Sequence, residues 1–111
     1  CNSALAEKEG VATLYRGRSA GGTRIHKDGN IRVGQVTIDS LGLAVCDAIM
    51  LDIEGGEVNA LLGARKTIEE FHPVIVVEEL EIYARDIHEL LTDFRYKKLR
   101  KIGRDAVWKI L

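Results

Sequence analysis

Two short apolar runs, Ala48 to Ile53 and Val74 to Val77, constrain this chain more than any other feature of its sequence. Neither alternates with polar residues. A strand apolar on both sides is expected to be buried on both faces, which is the pattern of parallel sheets covered by helices; a one-sided antiparallel strand would alternate. Between the runs, Val58, Leu61, Ala64, Ile68 and Phe71 recur at spacings of three or four, the stripe of a crossover helix. Glu57 falls in its first turn, where the helix dipole favours a negative charge. His72-Pro73 ends that helix, because the residue before a proline is pushed out of the α region. Strand, helix and strand make one βαβ unit, expected to be right-handed.

The first run ends in Met50-Leu51-Asp52-Ile53-Glu54-Gly55-Gly56-Glu57, a strand that meets a carboxylate-rich glycine turn. Ligands of open α/β sheets bind beyond the carboxyl ends of strands, so Asp52 and Glu54 mark a candidate catalytic site with Glu57 at its turn. Strand alternation sends Asp52 and Glu54 to one side. Each could orient or deprotonate a hydroxyl, or hold a divalent cation. Glu78, at the end of the second run, could complete the cluster, since close acids raise one another's pKa or recruit a metal. The structural alternative is that one carboxylate caps the helix or accepts turn N–H groups, and that Glu78 marks where a strand meets water. Gly55 and Gly56 read as backbone residues, allowing a tight strand-to-helix turn or close approach of a ligand.

Around this unit the chain is less regular. Val11 to Tyr15 reads as a short strand. Gly17, Gly21, Gly22, Gly29 and Gly34 then punctuate a loop region with at most a short hairpin. Arg16, Arg18, Arg24, Lys27 and Arg32 lie in it, and solvated loop charges explain them better than an anionic ligand. Gln35 to Ile38 reads as a strand, with a turn or cap at Asp39-Ser40. A second helix spans Tyr83 to Phe94, followed by Tyr96 to Ile102 and Ala106 to Leu111 around Gly103-Arg104-Asp105, which predicts a hairpin. Its cations, Arg95, Lys97, Lys98, Arg100, Lys101 and Arg104, fit a solvated edge better than a nucleic-acid patch. Phe94 and Trp108 are core candidates. His26, His72 and His88 are scattered without metal-ligand spacing, and surface or packing roles suit them.

Several segments then resemble one family in order and spacing: Val36-Thr37-Ile38-Asp39-Ser40-Leu41, Leu51 to Glu57, Leu61-Leu62-Gly63-Ala64 and Pro73 to Glu78 are similar to successive motifs of the FkbM-type methyltransferases. Asn2-Ser3-Ala4-Leu5-Ala6 with Glu9-Gly10 resembles that family's third-strand region. The resemblance implies an α/β chain with part of a Rossmann-like class I methyltransferase fold, a mostly parallel sheet with a C-terminal antiparallel hairpin. It also implies S-adenosylmethionine as cofactor, methyl transfer to a hydroxyl of a sugar, glycolipid or secondary metabolite, and Asn2, Ser3 and Ala4 near the adenine. The family's glycine-rich first-strand turn and its acidic second-strand residue are not in this sequence, which therefore resembles the carboxyl half of the domain. A non-catalytic remnant or binding module that keeps the fold is the other reading.

At 111 residues the chain is expected to form one domain, 1–111. Its net charge of -1 gives no global pull toward nucleic acid or membrane. No apolar run approaches the roughly 20 residues that span a bilayer. Cys1 and Cys46 form no CxxC, and reduced thiols in a cytoplasmic setting are the expectation. A start at Cys1 rather than Met suggests missing upstream sequence. The Ala48 to Ile53 strand is too apolar for an open edge, so either the chain is a fragment whose amino-terminal half covers that strand or it self-associates there.

Overall fold

A computed structural model of the chain describes residues 3–15, 24–25, 31–53 and 55–110. They gather into two compact units, one from the described residues of Cys1–Gly42 and Ile53–Ala64, the other from Leu43–Asp52 and Arg65–Leu111. Cys1, Asn2, Arg16, Arg18, Lys27, His26 and Glu54 lie outside the described residues.

In the first unit, β1 (Ser3–Leu5), β2 (Gly10–Tyr15), β3 (Arg24–Ile25) and β4 (Ile31–Val36) form a sheet in the order β1-β4-β2-β3. β1 runs parallel to β4, and β2 runs antiparallel to both β3 and β4. Within the glycine-punctuated region the described residues form β3, which pairs with β2 as a short hairpin would, and the start of β4. β4 also begins and ends earlier than the Gln35 to Ile38 expectation. The alternation Ile31-Arg32-Val33 carries it through Gly34, and Ile38 is instead buried where a short 3-10 turn, Asp39–Leu41, begins. The helix α1 (Glu57–Leu62) belongs to this unit and stops at Gly63. A β-carbon at Gly63 would collide with the backbone carbonyl of Ala6, and the Gly63 carbonyl accepts from Asp39 N–H at 2.9 Å.

The second unit holds β5 (Ala48–Leu51), α2 (Arg65–Phe71), β6 (Val74–Glu78), α3 (Glu81–Asp93), β7 (Lys97–Ile102) and β8 (Asp105–Lys109). Its sheet order is β5-β6-β8-β7. β5 and β6 are parallel, as the two apolar runs require, while β8 joins β6 and β7 antiparallel. Each sheet is therefore mixed, with one parallel pair, rather than mostly parallel. Ile75, Val77, Ile87, Leu91 and Ala106 are fully buried, with Phe94 and Trp108 beside them in the core as expected.

Two other expectations are corrected. The single crossover helix is two short helices, α1 and α2, broken at Gly63-Ala64; glycine is a poor helix interior residue, and this one is held by contact with Ala6. β5 is buried on one face only. Ile49 and Leu51 face the core, whereas Ala48 is exposed and Met50 is 77% exposed. An apolar run states which faces can be covered, and the pairing partners decide which are.

Tyr96, just after α3, donates its phenol to the Pro73 carbonyl at 2.6 Å inside the second unit. Burial, with a smaller contribution from the charge of the Cys46 thiolate, pushes the phenol from 10.0 up to about 12. A pKa raised on folding contributes stability below the unfolded value that is lost as pH rises through the folded one. Urea unfolding is therefore expected to show stability falling between about pH 10 and 12, a slope that Tyr96→Phe removes while costing about 1–3 kcal/mol at neutral pH. Gly63→Ala, by forcing Ala6 aside, is expected to lower stability by about 1–3 kcal/mol on the same measurement; an unchanged midpoint would contradict the close contact.

Candidate active site

The parallel register of β5 and β6 ends with Leu51 opposite Val77, so Asp52 and Glu78 stand one residue farther along, side by side at the carboxyl rim. Neighbouring strands lie about 4.8 Å apart, which brings the two backbones within reach of one substrate group. Asp52 is exposed and Glu78 is half-buried. On its other side Glu78 pairs with Asp105 of β8, also exposed. The rim therefore carries a row of three acids. Asp105 was read from the sequence only as part of the hairpin turn; the hairpin register is the signal that could have found it. Among the described residues, no group of three or more His, Cys, Asp or Glu side chains is placed to hold a metal ion.

Glu57 has a different task. It is 1% exposed, and its two carboxylate oxygens accept the backbone N–H groups of Ile53 at 3.1 Å and Gly55 at 3.0 Å. A carboxylate removed from water needs such donors, and the turn supplies them. The turn-binding alternative raised for the acids of this segment thus falls to Glu57. Gly55 has φ 101, a conformation that a side chain resists, so the glycine there serves the backbone. Gly56 is the residue before α1, with no side-chain cap.

The remaining candidates are placed as follows. Ser3 and Ala4 lie on β1 opposite Gly34 and Gln35, Ser3 exposed and Ala4 half-buried, while Asn2 and Glu54 fall outside the described residues. Cys46 is a free thiol, pushed up by burial and by the charge of Asp47, which makes it a poor nucleophile. All six residues of β7 are exposed, so the basic run is a solvated edge strand; Lys98 there reaches Glu79 at 2.8 Å, a pair the sequence did not suggest. His72 is exposed at the end of α2, and His88 packs edge-on against Trp108. Among the described residues, no helix is long and apolar enough to cross a membrane.

Residues 3–98 match the family model of the methyltransferase FkbM domain. No curated protein matches the chain. Among solved structures, the chain is similar to the crystal structure of methyltransferase FkbM from Methylobacillus flagellatus KT, with 22% identity and a TM-score of 0.51. The likeness covers 72% of this chain and 24% of that one, so this chain spans about a quarter of that relative. At such identity the likeness speaks to the fold.

Because Glu57 is committed to the turn, Glu57→Gln is expected to destabilise the chain by about 1–3 kcal/mol in chemical denaturation, since an amide presents an N–H where an acceptor is needed. An unchanged midpoint would mean that the carboxylate does not hold the turn.

Proposed function

Because this chain belongs to the FkbM methyltransferase family, we propose that it is the acceptor-side half of an S-adenosylmethionine-dependent O-methyltransferase, acting on a hydroxyl of a sugar, glycolipid or secondary metabolite. The observation that carries the reading is the pair Asp52 and Glu78, adjacent at the carboxyl rim of two parallel strands. On this reading the sheet of the second unit is the carboxyl part of a Rossmann-like sheet, and residues 1–111 act as one domain. The span of the family match, which takes in residues of both units, supports that.

The chemistry assigned to these residues is acceptor chemistry. Asp52, in water, takes up the hydroxyl proton, and Glu78, half-buried, fixes the direction of the acceptor oxygen. A positioned general base contributes about 10²- to 10⁴-fold. Alignment of the acceptor supplies the rest, since transfer of a methyl group needs the nucleophile in line with the leaving group. S-adenosylmethionine, when bound, supplies a methyl group made electrophilic by its sulfonium. The described residues of β1 do not by themselves fit that cofactor. Ser3 Oγ lies against Gly34, at 3.7 Å from where a β-carbon would stand, and no buried unpartnered polar side-chain atom lies on β1. The sequence also has no GxGxxG turn.

That mismatch favours a second reading, a binding module that keeps the fold without the cofactor site. A clear one-to-one isotherm in calorimetric titration of the chain with S-adenosylmethionine rules the module out. Among the described residues β5 is the terminal strand of its sheet, which supports pairing there with another strand, from a longer chain or a second copy.

In a methyl-transfer assay of a longer polypeptide that joins this chain to a cofactor-binding half, with hydroxylated acceptors, Asp52→Asn is expected to lower kcat by about 10²-fold or more and Glu78→Gln by a smaller factor, with melting temperature unchanged. Full turnover in both variants would remove the acids from the mechanism.

A further inference from the structure

Between α3 and the sheet of the second unit lies a cavity of about 260 Å³. Val77, Ala84 and Ile87 give it apolar surface. Arg85, His88 and Lys98 bring positive or hydrogen-bonding groups to it, and Glu79 is its one lining carboxylate. Trp108 completes the lining. The sheet register sets Ile75, Trp108 and Lys98 in one row across three strands, with the Lys98 ammonium 5.9 Å from the indole centroid and His88 meeting the ring edge-on at 5.5 Å.

Trp108 is 3% exposed, yet its Nε1 is the one buried side-chain nitrogen or oxygen among the described residues without a hydrogen-bond partner. Buried donors are nearly always satisfied, and one left unpaired costs about 1–3 kcal/mol. An acceptor is what this corner of the unit lacks. The lining points to an anionic one, with two cations, Arg85 and Lys98, against the single carboxylate of Glu79, while Glu89, the partner of Arg85, lies outside the lining. Lys98 has three donors and places its nitrogen at 2.8 and 3.0 Å from the Glu79 oxygens, leaving a donor to spare. Among the described residues Arg85 pairs with Glu89, through side chains that are 89% and 63% exposed. Such surface pairs hold weakly, so the guanidinium is free to turn toward a ligand.

We infer that this cavity binds a small monocarboxylate with a compact apolar body. One carboxylate oxygen accepts from Trp108 Nε1 and the other from the Lys98 ammonium, while the apolar body lies against Val77, Ala84 and Ile87. His88 and Arg85 close the open side. The assignment stands apart from the methyl-transfer reading and does not depend on it.

Trp108 is the chain's single tryptophan, so its indole N–H gives one resonance in a ¹H–¹⁵N spectrum of the whole chain. Titration with benzoate is expected to move that resonance downfield to saturation, and benzyl alcohol, of similar shape without the charge, is expected to leave it in place. Lys98→Met is expected to weaken benzoate binding roughly tenfold. Ala84→Leu, which fills the cavity with a good helix former, is expected to abolish binding while the rest of the spectrum stays folded. A resonance that does not move, that drifts linearly without saturating, that responds equally to the alcohol, or that responds unchanged in both variants overturns the assignment.

Discussion

The parallel pairing of β5 with β6 is the constraint from which the second unit follows. Four register pairs, from Ala48 opposite Val74 to Leu51 opposite Val77, hold two strands pointing the same way. Parallel neighbours cannot be joined by a tight turn, so the chain must leave the sheet and return, and both strands then finish at one rim. Asp52 and Glu78 owe their adjacency to that geometry. β8 adds to the far side of β6 antiparallel, which sets Asp105 opposite Glu78 and extends the acidic row.

Burial divides the acids among the described residues into those that hold the fold and those left in water. Glu57 is inaccessible and spends both oxygens on backbone N–H groups, so it stabilises a turn and has nothing to offer a substrate. Glu79 is tied to the Lys98 ammonium at the wall of the α3 cavity. Asp52 stays in water at the rim. These three carboxylates thus take separate roles, because desolvation demands a partner for each acid that leaves solvent.

The two edges of the second sheet are handled in opposite ways. β7 is exposed along its whole length and carries Lys97, Lys98, Arg100 and Lys101, charges that discourage another strand from adding there. β5 has no such guard. Met50 stands 77% exposed on an edge whose neighbours in sequence are apolar, the condition under which a sheet accepts a further strand. The same unit buries Phe94, Tyr96 and Trp108, and Trp108 packs under His88 and Lys98 with an unanswered donor.

Local chemistry was legible in the sequence wherever a short pattern has one physical solution. Near-continuous apolar runs with a striped helix between them meant parallel strands; Gly103-Arg104-Asp105 between β-leaning segments meant a hairpin, and it forms with Gly103 at φ 61. Proline at position 73 ended α2 as expected. Where a pattern admits two solutions, tertiary structure chose. Ile31 to Val36 was hidden by glycines until β1 and β2 flanked it on both sides. The break at Gly63 needed the Ala6 carbonyl, a partner far away in sequence, to explain it. Which carboxylate would be buried, which face of β5 would be covered and which acid would stand beside Glu78 depended on contacts between distant segments. Periodicity reports the faces a segment could bury, whereas the free energy of burial is settled only when another segment arrives to cover them.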